Sequence, residues 1–108
     1  MDSMTPLELQ RRLAGGQRLR LLDVREREEW NFCRIPEGVL RPLSEADAWL
    51  MQEAQGELPV VVYCHHGIRS ARVCAALLHL GHEDVRNLAG GIEAWRLEVD
   101  PAMPAYSG

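Results

Sequence analysis

Seven consecutive residues, Cys64-His65-His66-Gly67-Ile68-Arg69-Ser70, bring together a nucleophile, three basic side chains, a glycine and a hydroxyl. They follow the apolar run Val60-Val61-Val62-Tyr63, which reads as a strand, and Ser70 opens a helical pattern from Ala71 to Leu80. A cysteine between a strand and a helix N-terminus sits where backbone N–H groups converge and the helix dipole favours negative charge. The chemistry implied is that of a thiolate. An ordinary thiol, with a pKa of about 8.5, is only a few per cent ionised at neutral pH. Helix N-termini and neighbouring cations lower that value. Arg69 supplies a fixed positive charge, His65 and His66 can add to it, and Gly67 lets the loop fold back on the sulfur.

The length of the loop narrows the chemistry. Cys64 to Arg69 is C-x4-R, six residues, and Ser70 falls where the C-x5-R pattern of cysteine-dependent phosphatases has its arginine. The longer loop cradles a phosphate, whereas the shorter makes a tighter cradle suited to one sulfur atom on the cysteine. The six-residue loop resembles that of the rhodanese sulfurtransferases. Leu21-Leu22-Asp23-Val24-Arg25-Glu26, Arg34-Ile35-Pro36 and Leu88-Ala89-Gly90-Gly91-Ile92-Glu93-Ala94-Trp95 resemble three further signatures of that family, in order, and the likeness spans about residues 5–106. The chain departs at Cys33-Arg34, where members often carry Gly-His, and at Glu37, where a small residue is common. Both departures bear on the surroundings of a substrate and leave the loop untouched.

The resemblance implies a sulfurtransferase that works through a Cys64 persulfide. The thiolate attacks the outer sulfur of a small anionic donor (thiosulfate, with sulfite leaving, or a persulfide). Cyanide in an assay, or a thiol or sulfur-carrier protein in the cell, then takes the sulfur. The cycle uses no metal and no organic cofactor. His65, His66, Gly67, Ile68, Arg69 and Ser70 form the loop around the persulfide, whose negative charge the loop N–H groups hold as an oxyanion hole would. Arg69 orients the donor and lowers the Cys64 pKa. His65 and His66 contact the donor anion, move a proton, or are simply exposed. Two other readings stand beside this one: a sulfur relay or binding module with little thiosulfate activity, and a phosphatase or arsenate reductase of the same fold, which the loop length disfavours.

Asp23, Arg25 and Arg34 are supporting candidates. Asp23 ends a buried strand, where a carboxylate needs an ion pair or nearby N–H groups. Arg25 is expected to pair with Glu28 or Glu29, and Arg34 is a cation at the mouth of the site or, the favoured reading, a solvated arginine. Cys74, among Val73, Ala75, Ala76, Leu77 and Leu78, belongs to the core; Cys33 is a buried filler or a second thiol that resolves a persulfide into a disulfide.

The elements that must position these groups follow from patterning. Thr5-Pro6-Leu7-Glu8 starts a helix with a capping box and a proline in its first turn, and Gly15-Gly16 ends it. Leu19 to Val24 reads as a strand buried on both faces, as in parallel sheets. Glu26 to Trp30 is a short helix, Val39-Leu40 a brief strand stopped by Pro42, and a second long helix runs from Ser44 towards Gly56. After the cysteine loop and its helix come a short strand, Val85-Arg86-Asn87-Leu88, and a short helix after Gly90-Gly91, with Trp30, Trp49 and Trp95 as packing anchors. Alternating strands and helices predict a rhodanese-like α/β domain: a mainly parallel sheet of about five strands, helices on both faces, and the active site beyond the carboxyl ends of the strands.

The composition sets outer bounds. A chain of 108 residues suits one domain, residues 1–108, with its core over about 5–98 and a tail over 99–108 that lies on the surface. A net charge of -4 argues against nucleic acid as the main partner. No apolar run approaches the roughly 18 residues of a membrane helix, and Met1-Asp2-Ser3-Met4 lacks the basic and apolar regions of a secretory signal. All 12 permanently charged basic residues are arginine and there is no lysine, so lysine-dependent chemistry is excluded. Three cysteines cannot all pair within the chain, and a persulfide carrier must keep its thiol free; a reducing, cytoplasmic setting is expected.

Overall fold

Strand β4 (Val60–Tyr63) is buried along its whole length, which places it inside a sheet covered on both faces. The structure, a computed structural model, describes residues 2–106. Five parallel strands form one sheet in the order β1 (Ser3–Met4), β5 (Val85–Leu88), β4, β2 (Arg20–Asp23) and β3 (Val39–Leu40). The period-two alternation of β4 divides the core. Val61 and Tyr63 pack with Leu9 of α1 (Pro6–Ala14) and with Ile92 and Trp95 of α5 (Gly91–Glu98). Val60 and Val62, with Cys64, pack with Trp49 and Ala54 of α3 (Ala46–Ala54) and with Val73, Cys74 and Leu77 of α4 (Ile68–His79). The short α2 (Arg27–Phe32) buries none of its residues. Its place is set at one end of the sheet, after β2.

The strand order determines where the site lies. From β2 the chain moves outward to β3; after returning to β4 it moves the other way, to β5 and its neighbour β1. The carboxyl ends of β2 and β4 therefore flank the point where the winding reverses, the usual crevice for ligands in open α/β sheets. The Cys64 loop follows β4, and Val24, Arg25 and α2 follow β2.

Four details depart from the patterning. The fifth strand is Ser3–Met4, paired with Asn87 and Leu88, and two residues show no periodicity to read. Thr5 caps α1 by accepting from the Glu8 N–H, but the Glu8 carboxylate turns to Arg12 at 2.6 Å and not back to the cap. Helix α4 starts at Ile68, two residues before Ser70, because Gly67 takes the left-handed conformation (φ 111°) and serves as its N-cap. The tail is pinned at two points: Met103 is buried in the first core and Tyr106 packs beside it, while Pro101, Ala102, Pro104 and Ala105 are exposed and residues 107–108 lie outside the described residues.

Candidate active site

Cys64 comes directly after β4 and is 1% exposed. Three polar groups converge on its sulfur: the Gly67 N–H donates at 3.1 Å, the Ser70 N–H donates at 3.4 Å, and the Ser70 hydroxyl stands 3.3 Å away, where either atom can be the donor. Burial opposes ionisation most strongly. The Ser70 hydroxyl, the two N–H groups and the charge of Arg69 together outweigh it and hold the thiol pKa below its ordinary value. Gly67 is indispensable to this geometry because its φ of 111° turns its N–H onto the sulfur, and side chains rarely tolerate that backbone.

The loop is held from outside by residues that local patterning did not place there. The first turn of α5 donates to its carbonyls: Ile92 N–H to Cys64 at 2.9 Å and Glu93 N–H to His65 at 3.2 Å. This close approach explains Gly91, where a Cβ would stand 2.3 Å from the His65 carbonyl oxygen. Asn87 of β5 donates its amide to the Gly67 carbonyl at 3.0 Å, and its Oδ1 accepts the Ser70 hydroxyl at 2.6 Å. A serine has one proton to give. Here Ser70 gives it to Asn87, so a Cys64 thiol can in turn donate to the Ser70 oxygen.

Other site residues sit differently from expectation. Arg69 faces Glu29 of α2 in a two-pronged ion pair of 2.8 and 2.9 Å, across 40 residues of sequence. Arg25 pairs with Asp23, not with Glu28 or Glu29, through contacts of 2.9 and 2.7 Å from its guanidinium and 3.0 Å from its own N–H. Both partners are fully buried, so each needs the other. The Arg25 Nη2 that meets Asp23 also donates to the Cys33 carbonyl, and Nη1 donates to the Tyr106 hydroxyl. His65 is 4% exposed, stacked on Tyr106 at 4.0 Å and tilted against His66 at 3.9 Å, whereas His66 and Ile68 are exposed. Arg34 is exposed and lies over the Trp30 ring, in keeping with the solvated reading. Cys33, Cys64 and Cys74 are all unpaired, and Cys33 packs in the first core while Cys64 packs in the second. A cavity of about 350 Å³ between Leu13, Pro36, Trp95 and Val99 holds no nucleophile, so cavity volume does not mark this site.

Residues 5–98 match the family model of the rhodanese-like domain. The chain belongs to that family. The rhodanese-like domain here is 37% identical over 109 residues to the probable adenylyltransferase/sulfurtransferase MoeZ of Mycobacterium tuberculosis, covering 97% of this chain and 27% of that protein. It thus spans about a quarter of the length of that curated relative. Among solved structures, a rhodanese-like domain protein from Staphylococcus aureus superposes with a TM-score of 0.80 at 29% identity, covering 99% of this chain and all of the other. The human single-domain sulfurtransferase TSTD1 superposes with a TM-score of 0.76 at 29% identity, covering 91% of this rhodanese-like domain and 97% of TSTD1.

Proposed function

We propose that this rhodanese-like domain is a sulfurtransferase that carries sulfane sulfur as a persulfide on Cys64. One observation carries the reading: two backbone N–H donors and a hydroxyl within 3.4 Å of a buried sulfur, at the mouth of a parallel sheet, with a fixed cation nearby. The Cys64 thiolate attacks the outer sulfur of thiosulfate, a new S–S bond forms, and the old S–S bond breaks with its electron pair leaving on sulfite. A persulfide donor reacts the same way, with a thiolate as leaving group. An acceptor thiolate, or cyanide in an assay, then attacks the outer sulfur and returns Cys64 as thiolate. The sulfur carried is anionic, and the Gly67 and Ser70 N–H groups suit that charge. The likeness to MoeZ, a probable adenylyltransferase/sulfurtransferase, and to the sulfurtransferase TSTD1 supports this class of chemistry. A cellular acceptor that is a thiol or a sulfur-carrier protein fits the same cycle.

The test is the intact mass of the reduced protein after exposure to thiosulfate or to a small persulfide, beside Cys64→Ser. Gain of one sulfur atom in the wild type alone is expected. No gain from either donor, or equal gain in the variant, would overturn the proposal.

A further inference from the structure

The cation nearest the nucleophile is already occupied. Glu29 meets Arg69 with both oxygens, and two more donors fix the same carboxylate: the Tyr106 hydroxyl at 3.1 Å and the Glu26 N–H at 3.1 Å. Tyr106 is itself held by Arg25 at 3.1 Å and by its stack on His65. Glu29 therefore cannot swing away without breaking four hydrogen bonds. The Arg69 contact, opposed by partial burial and helped by the Glu26 N–H, holds its carboxyl at about 2, so it is ionised across the working range. The next arginine along the rim, Arg96, is paired in the same way with Glu93, whose N–H holds the loop at His65. Arg34 lies over Trp30. Arg69 and Arg96 are thus presented as neutral pairs, and the attraction for an anion at the sulfur itself resides in the Gly67 and Ser70 N–H groups.

That distribution separates two kinds of donor. A persulfide brings one negative charge, on the sulfur that Cys64 attacks, where the loop donors lie. Thiosulfate brings two, much of them on a sulfonate that must rest beside Arg69 against the fixed charge of Glu29. We infer that Glu29 is a specificity-determining residue: by neutralising Arg69 it turns the site from dianionic donors towards persulfides. This rests on the sulfur-carrier reading of Cys64 and adds the class of donor.

Glu29→Gln keeps an oxygen for the Glu26 N–H and removes the charge. Loading of Cys64 should be followed by mass with thiosulfate and with 2-hydroxyethyl persulfide, whose only charge is on the outer sulfur, as probes. In Glu29→Gln, kcat/KM for thiosulfate is expected to rise about tenfold, mainly through a lower KM, because one repulsive charge is gone. For the persulfide the change stays within about twofold. A second measurement needs no variant: millimolar sulfate, an unreactive dianion, should slow wild-type loading from the persulfide by less than about twofold. An unchanged thiosulfate KM in Glu29→Gln, an equal fall for both donors, or strong sulfate inhibition of the wild type would overturn the assignment. Loss of loading from both donors in the wild type would instead overturn the sulfur-carrier reading, and this inference with it.

Discussion

Cys64 and Cys74 lie ten residues apart, in the same core cluster, and are 1% and 0% exposed. Their thiols are driven in opposite directions. Burial pushes Cys74 up to about 12, with the neighbouring charge of Cys64 adding to the effect. Burial acts on Cys64 too, yet its pKa falls. The difference is the backbone around each sulfur. Cys74 sits inside α4, where the N–H groups are spent on helical hydrogen bonds. Cys64 faces the start of that helix, where the N–H groups of Gly67 and Ser70 are free to reach the sulfur. A buried thiol is inert by default; convergent donors make it a nucleophile.

The sharpest way to break this comparison is to exchange the fates of the two cysteines. Cys64→Ser is expected to abolish persulfide formation with the fold intact, as read by mass and thermal unfolding; residual loading on Cys74 or Cys33 would contradict it. Gly67→Val should come next. Forcing a β-branched residue to positive φ costs about 1–2 kcal/mol and moves the N–H off the sulfur. Loss of one such donor lowers turnover on the order of a hundredfold, so transfer at the wild-type rate would remove the loop from the account. Ser70→Ala takes away a hydroxyl but leaves both N–H groups. A hydrogen bond to a charged group contributes about 1.5–3 kcal/mol, so alkylation of Cys64 at pH 7 should slow about tenfold and its pH profile should move to higher pH. The smallest effect is expected for Cys74→Ala: sulfur transfer within about twofold of wild type and a stability loss of about 1 kcal/mol, from a small cavity in the second core.

How much of this was legible beforehand depended on sequence distance. The run from Val60 to Ser70 announces strand, nucleophile, turn and helix within eleven residues, and those features are found, with α4 starting two residues early. The parallel sheet followed from stretches such as Leu19 to Val24, where Leu19, Leu21, Leu22 and Val24 are apolar on both faces. Pairings between distant elements were not legible. Glu29 reaches Arg69 only because the reversal in strand order sets α2 beside the β4 loop. Asn87 looks like an ordinary residue of a short strand, yet β5 lies next to β4 and carries it to Ser70 and Gly67. Arg25 illustrates the same limit at short range: two exposed-looking glutamates nearby were the obvious partners, whereas full burial demanded the buried carboxylate of Asp23. Tyr106 came from a proline-bearing tail with no pattern at all, and only Met103 and the His65 stack bring it to the site.

The depressed pKa also has a definite sign in pH. Thiolate is the reactive form, so reactivity at Cys64 is full above its folded pKa and is lost as pH falls through that value, which lies below the ordinary thiol range. Peptide-resolved alkylation of the native protein across pH therefore tests the account most directly. Cys64 should react with a midpoint below that of a free thiol, while Cys74 stays unmodified until the protein unfolds. Equal reactivity of the two, or a Cys64 midpoint at or above that of a free thiol, would contradict the claim that the loop donors create the nucleophile.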